Sequence, residues 1–287
     1  MALTINTNIS SLIAQKNLAD ATASLNQAIE RMTTGYKINH ARDNAAGFSI
    51  ATTWKTHISS LDVAADNAAM GLDMLTTTEE SYELIIDHVQ RIRDLTEQAA
   101  NGTYGADSLT AIKSEISARL EEITRIAGNA EFNGVKLMNG SGAIKLQVGL
   151  YNNANCQIEL SADIFAKTDL ETLFKTKGGF TGTTADALST ECTATATAAA
   201  SLDKLDKIVK EITTRMTTIG AAQNRLESAI ETIDVQSENL TSSLSTLRDT
   251  DVAEESSKYI QSQILQQAAA TLLSTANQTP SIALNLL

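Results

Sequence analysis

Three histidines and two cysteines are the side chains best suited to metal or covalent chemistry here, and their spacing serves neither. His40, His57 and His88 are too scattered for two of them to share a helical turn, as a zinc site of the HExxH kind requires. They read as partly exposed helix residues. Cys156 and Cys192 form no CxxC motif, and two cysteines in 287 residues are no disulfide framework. The residues leave open two free thiols or one bridge within the middle segment. No GxSxG elbow, Walker loop or strand-following GxGxxG occurs. The expectation is therefore no catalytic residue, no cofactor site and no metal site, hence no enzyme. Asp87 and Arg91 lie at i,i+4 in the favourable order, the pattern of an ordinary surface pair worth roughly 0.2–0.5 kcal/mol. Trp54, with Phe48, Ile50 and Ile58, reads as the start of a helical core face.

If chemistry is absent, the elements themselves must carry the function, and the two ends of the chain are the most unusual of them. From Met1 to Ala28 the only ionisable side chains are Lys16 and Asp20, and from Ile260 to Leu287 there are none. A helix whose polar face is Gln, Ser, Thr and Asn lacks the ion pairs and solubilising charge of a free surface helix, so it expects neighbours. Ala14, Leu18, Ala21, Leu25, Ala28 and Met32 alternate four and three, the seam of a coiled coil. Ile260, Ile264, Leu265, Ala268, Leu272, Leu273 and Ala276 form a second apolar stripe. The two ends can pair with each other or with copies of themselves.

Composition points the same way. Pro280 is the single proline, where average usage would give about 14, and its rarity permits very long helices. Aromatics are only 4% of the chain, so packing rests on Leu, Ile and Ala between helices. Lys+Arg 22 against Asp+Glu 34 leaves a formal charge of -12, the wrong sign for nucleic acid. The N-terminus has no basic region followed by an apolar one, and no run of eighteen apolar residues occurs. Neither a general secretory signal nor a membrane span is expected.

The strongest periodicity is late: Leu202, Leu205, Val209, Ile212, Met216, Ile219, Gln223, Leu226, Ile230, Ile233, Ser237, Leu240, Leu244 and Leu247 predict one helix of roughly 70 Å. Gly220 inside it is expected to mark a close crossing. Ile58, Leu61, Ala65, Ala68, Leu72 and Leu75, running on to Tyr82, Ile86 and Val89, predict a second long helix. After the turn at 101–105, Leu109, Ile112, Ile116, Leu120, Ile123 and Ile126 predict a third. Ile144, Leu146, Val148 and Leu150 then alternate with polar residues, and Ile158 and Leu160 do so again after Tyr151–Asn155, the pattern of a β-hairpin. Residues 181–200, TGTTADALSTECTATATAAA, read as an exposed insert too small-chained for its own core. The fold class expected is mainly α: an elongated antiparallel coiled-coil or helical-bundle rod with a small β-hairpin region and its N- and C-terminal helices paired.

Five stretches carry a family likeness: Ile5-Asn-Thr-Asn-Ile-Ser-Ser-Leu12, Glu30-Arg-Met-Thr-Thr-Gly-Tyr-Lys-Ile-Asn-His-Ala-Arg-Asp-Asn-Ala-Ala-Gly47, Glu131-Phe-Asn-Gly-Val-Lys-Leu-Met-Asn-Gly140, Ile219-Gly-Ala-Ala-Gln-Asn-Arg-Leu226 and Gln263-Ile-Leu-Gln-Gln-Ala-Ala269. Through them the chain resembles bacterial flagellin over nearly all of its length. The resemblance implies a minimal member without large outer domains: an inner terminal coiled-coil domain of residues 1–42 with 250–287, a rod domain of 43–160 with 201–249 that holds helices and the β-hairpin, and a short variable surface insert at 161–200.

The resemblance also implies a structural subunit that polymerises into the flagellar filament for motility, secreted and extracellular, exported unfolded by the flagellar type III system. Filament assembly then falls to Ala14, Leu18, Ala21, Leu25 and Ala28 at one end and to Ile260, Ile264, Ala268, Leu272 and Leu273 at the other. The partners implied are the chain itself in a helical homopolymer, hook-junction and cap proteins, and an export chaperone on residues 250–287, with no nucleic acid and no membrane. The family's stretch recognised by Toll-like receptor 5 corresponds to 90–95, which makes Arg91, Leu95 and Glu122 candidate receptor contacts. Cysteine is uncommon in the family, so a disulfide between Cys156 and Cys192 formed after export is one state to test. The alternatives are a hook–filament junction protein with similar ends, which would form a short ring, and a non-flagellar coiled-coil adaptor, which the neutral ends disfavour.

Overall fold

The computed structural model describes residues 8–284, side chains at 195–196 and 279–284 excepted. Ile5, Asn6 and Thr7 of the first family stretch, and the outermost residues of both ends, lie outside that range. The chain is mainly helical: α1 (Ile9–Thr34), α2 (Ala45–Ala100), α3 (Ala106–Asn129), strands β1 (Glu131–Phe132), β2 (Val135–Lys136), β3 (Ile144–Gln147) and β4 (Gln157–Leu160), a π-helical segment (Glu171–Gly178), α4 (Ala185–Thr193), α5 (Thr195–Arg248) and α6 (Val252–Leu284). The long periodic run is thus one helix, and the turn at 101–105 separates α2 from α3. Two compact units result, Met1–Ile58 with Glu238–Leu287 and Ser59–Ser237.

In the unit of residues 59–237, α2, α3 and α5 supply a closed core. Leu61, Leu75, Tyr82, Ile85, Val89 and Ile92 from α2, Ile116, Leu120 and Ile123 from α3, and Leu205, Ile208, Ile212, Ile219 and Leu226 from α5 are all buried. Polar contacts fix the helices against one another. Arg93 on α2 holds Asp206 on α5 at 2.7 Å, Gln223 donates to Glu79 at 2.8 Å, and Arg119 on α3 reaches His88 on α2 at 3.3 Å. Two antiparallel hairpins follow α3. The first closes through Asn133 and Gly134, both at positive φ (47° and 79°), the left-handed pair that an Asn-Gly turn supplies. The second pairs Ile144 with Leu160 through Gln147 with Gln157, at the position the alternating pattern predicts.

Glycine marks a close approach, but not where expected. At Gly71 on α2 a Cβ would stand 2.3 Å from Leu146 Cδ1 and 3.4 Å from Leu226 Cδ1. The glycine therefore forms the notch into which the β3–β4 hairpin and α5 press. At Gly220 nothing lies within 4 Å of that point, so no close crossing occurs there.

The middle segment also departs from expectation. Ile164, Phe165, Leu173, Phe174, Phe180, Leu188 and Cys192 are buried, so residues 161–200 are packed into the unit rather than exposed on it. Leu173 and Phe174 come from the π-helical segment and Leu188 and Cys192 from α4, while Ile164, Phe165 and Phe180 lie in the connecting segments. Arg215 on α5, only 3% exposed, ties the segment down: its Nη1 donates to Thr168 Oγ1 (3.0 Å) and to Tyr82 Oη (3.3 Å), while its Nη2 meets Glu211 at 3.1 Å. Tyr82 in turn donates to the Ile164 carbonyl at 2.9 Å. Glu191 on α4 accepts from Thr181 and Lys204. Burial alone would raise its carboxyl, yet these hydrogen bonds hold it below the ordinary value of 4.5.

Candidate assembly surface

In the other unit α1 and α6 run antiparallel, as their cross-contacts require. Asn8 donates to the Ala276 carbonyl at 2.7 Å, Ser11 to Asn277 at 2.8 Å and Gln266 to Thr22 at 3.2 Å, and Arg31 meets Glu255 at 3.7 Å. Both ends of α1 and the start of α6 are capped. Asn8 accepts from the Ser11 N–H and caps α1, Gly35 at φ 75° terminates it, and Asp251 accepts from the N–H groups of Ala253 and Glu254 at the start of α6.

The seam on α1 is the one its spacing predicts. Ala14, Ala21 and Ala28 are buried, with Leu18, Leu25 and Met32 half-buried between them. On α6 the outcome differs from the simplest reading of its apolar stripe. The face against α1 is Glu255, Ser262 and Ala269, buried at seven-residue spacing, with Tyr259, Gln266, Leu273 and Ala276 half-buried. Ile260 and Ile264 face away, and Leu265, Ala268 and Leu272 stand exposed along the outer flank of the seam, Ile264 being 59% and Leu272 62% exposed. Of the assembly candidates on this helix, Leu273 alone lies in the seam. At 3.6 residues per turn the two faces of α6 stand roughly 140° apart. The signal for the inner face is a heptad of small and polar residues, which a search for apolarity passes over.

Exposed apolar side chains continue on α1 at Ile9, Leu12 and Ile13. Between the helices an open groove of about 510 Å³ is lined by Asp20, Ala21, Ser262, Leu265, Ala268 and Leu272, among others. Its lining mixes alanine and leucine side chains with Asn17, Ser24 and Gln261. Such a concavity receives side chains of a neighbouring helix. Phe48, Trp54 and Ile58, read as the start of a core face, are only half-buried, and Ile50 is exposed; Ala51 is the buried residue there.

Where α1 and α6 meet the loops, the backbone makes a tie. Lys37 N–H donates to the Arg248 carbonyl at 2.7 Å and Thr250 N–H to the Gly35 carbonyl at 2.9 Å, around the bridge Tyr36↔Asp249. The Arg248 guanidinium stacks over Tyr36 at 4.1 Å. Asp43 accepts from the His40 and Asn39 N–H groups, chiefly the former, which holds its carboxyl below the usual range. His40 belongs to this loop rather than to a helix, and pairs with Glu30 at 2.8 Å.

The receptor-contact candidates are divided by the fold. Arg91 is exposed and reaches across to Glu115 on α3 at 3.1 Å, not along its own helix to Asp87. Burial works against Glu115, but hydrogen bonds from Arg91 and Arg119 keep its carboxyl low. Glu122 is held low by Arg125 beside it. Leu95 is only 2% exposed and packs inside, so a partner cannot touch it in this conformation. The two cysteines are free thiols rather than a bridge. Cys156 sits in a turn against Gly149, while Cys192 is enclosed beside Thr96 and burial pushes its thiol up to about 11.

Comparison with known proteins bears on this surface. The family described as bacterial flagellin N-terminal helical region matches residues 5–143, and that described as bacterial flagellin C-terminal helical region matches 202–287. The chain is 36% identical over 312 residues to a flagellin of Xenorhabdus nematophila, covering 100% of both. It is 30% identical over 290 residues to flagellin FlaB1 of Treponema pallidum (strain Nichols), covering 99% of each. Its fold is similar to that of a putative flagellar hook-associated protein from Vibrio parahaemolyticus, with a TM-score of 0.60 and 14% identity over 72% of this chain and 100% of that one.

Proposed function

Since the chain belongs to the bacterial flagellin family and is a structural subunit of the flagellar filament, we propose that the outward stripe of α6 and the exposed Ile9, Leu12 and Ile13 of α1 are the surface through which copies join. One observation carries this reading: the helices are nearly free of charge up to Ala28 and from Ile260 onward, yet they bury alanines against each other and leave most of their large aliphatic side chains in water. Ile260, Ile264, Ala268 and Leu272 then make contacts between subunits. Ala14, Leu18, Ala21, Leu25, Ala28 and Leu273 form the pair that presents them.

An alanine methyl removed from water contributes on the order of 0.8 kcal/mol, against roughly 1–2 kcal/mol to order each residue. The pair is therefore completed by neighbours, and the ends order on assembly. Residues 1–42 with 250–287 serve as the inner domain and 43–160 with 201–249 as the rod. The subunit travels unfolded through the flagellar type III route, with a chaperone on 250–287, and ends outside the cell in a filament used for motility. It meets hook-junction proteins at one end of the filament and cap proteins at the other. Recognition by Toll-like receptor 5 would rest on Arg91 and Glu122, with Leu95 holding α2 in place.

The test is electron microscopy of seeded polymerisation. The intact chain is expected to give long filaments, and chains lacking 260–287 or carrying Ile264→Asp with Leu272→Asp are expected to remain monomeric. Filaments from the doubly substituted chain at the wild-type rate would overturn the assignment of the stripe.

A further inference from the structure

Hydrophobic burial alone would roll α6 so that Ile260, Ile264, Leu265 and Leu272 lie on α1. The structure does the opposite, and the contacts that select the polar face can be named. Gln266 to Thr22, Asn8 to the Ala276 carbonyl and Ser11 to Asn277 are neutral. Ala276 lies inside α6, and its carbonyl is the one that Pro280, lacking an N–H four residues on, leaves unpaired, so the Asn8 contact also favours this rotation, but as a neutral, part-buried hydrogen bond. Glu255 is different. It is the one buried charged residue among the described residues of this unit, 3% exposed, and its carboxylate lies between Arg31 Nη1 at 3.7 Å and Lys258 Nζ at 3.5 Å. Arg31 comes from α1, and its Nε is buried with no hydrogen-bond partner. A carboxylate taken out of water is tolerated only beside a cation. Rolling α6 by roughly 140° would carry Glu255 away from Arg31 and leave the arginine facing the wrong side of the helix.

The tie between Gly35 and Thr250 fixes how far along α1 the last helix starts, but a three-residue connection, 249–251, does not fix which face of that helix looks inward. We infer that the Arg31–Glu255 pair is the positioning device for assembly: it sets the rotation of α6 against α1 and so keeps the aliphatic stripe turned outward, available to other copies. The pair acts through the stripe and touches no neighbour itself. A single ionic position within an otherwise permissive seam has this effect in coiled coils, where it selects register at a cost in stability.

The inference rests on the assembly reading above, and one pair of variants separates the two. Arg31→Met with Glu255→Leu removes both charges and leaves side chains of similar volume, an exchange that is neutral or stabilising when an ion pair serves packing alone. A positioning role predicts that seeded elongation by this full-length chain falls at least tenfold. Cryo-electron microscopy of filaments forced at high concentration would then show Ile264 turned towards α1. Glu255→Asp, which keeps the charge, is expected to stay within about threefold of wild type. Unchanged elongation, or slow elongation with Ser262 and Ala269 still on α1, would overturn the inference. If Ile264→Asp with Leu272→Asp also elongates normally, it is the stripe assignment that has failed instead.

Discussion

The two units use one helical grammar to different ends. Residues 59–237 enclose isoleucine, leucine, tyrosine and phenylalanine on three long helices and the short middle segment. In residues 1–58 with 238–287, the buried apolar side chains among the described residues are five alanines and Ile38, while Ile9, Leu12, Ile13, Ile260, Ile264, Leu265 and Leu272 stand in solvent. Heptad spacing is present in both. What separates them is where the bulk sits relative to the seam. Bulk inside closes a core within the chain, and bulk outside leaves apolar surface exposed to a partner. A sequence with strong periodicity and weak charge therefore announces a partner when its seam residues are small.

The widest gap between the units should appear in thiol chemistry. With Cys156→Ser as background, Cys192 is enclosed and its thiol lies near 11, so at pH 8 its labelling is expected to be more than 100-fold slower than that of a cysteine placed at Leu265→Cys. Comparable rates would mean that the closed core opens as readily as the ends. Next in size, Ile116→Ala should cost about 2–5 kcal/mol in denaturant unfolding of the monomer, whereas Ile264→Ala should change it by less than about 0.5 kcal/mol. A large monomer penalty at Ile264 would erase the contrast.

Acid should act on the closed unit through Glu191. Its carboxyl is held below 4.5 in the folded chain, so its contribution is fully present above that value and is lost as pH falls through the lower folded one. Glu191→Gln is expected to flatten the loss of stability below pH 4.5, by on the order of 1 kcal/mol, in urea titrations across pH. The smallest effect is a gain. Gly220→Ala meets empty space in mid-helix and should raise stability by roughly 0.5–1 kcal/mol, read as a shift in the urea midpoint.

The five long helices and the β3–β4 hairpin were legible because their signals are periodic, whereas α4 and the π-helical segment before it were not. The first hairpin was announced only by Asn133-Gly134, a two-residue cue inside a stretch that otherwise reads as a loop. Burial of 161–200 was hidden because its large residues, Phe165, Phe174, Phe180 and Leu188, are spread over short elements with no common period, and because its anchor, Arg215, lies in another helix. On α6 the exposed stripe is the more apolar face, so composition alone points to the wrong inner side. Arg91 pairs with Glu115 because a neighbouring helix offers a carboxylate, which no i,i+4 rule sees.

The tie around Tyr36 and Asp249 has a mechanical meaning. Two loops, 35–44 and 249–251, interrupt the helices of this unit, and a chain under load yields first where helix stops. Here the loops are fastened to each other: Lys37 N–H to the Arg248 carbonyl, Thr250 N–H to the Gly35 carbonyl, Lys37 Nζ to the Thr246 carbonyl, and Arg248 against both Tyr36 and the Ile38 carbonyl. Tension entering along either terminal helix is thus shared by two strands of polypeptide running in opposite directions. The helices of this unit break off there, and it is there that this chain has been stitched.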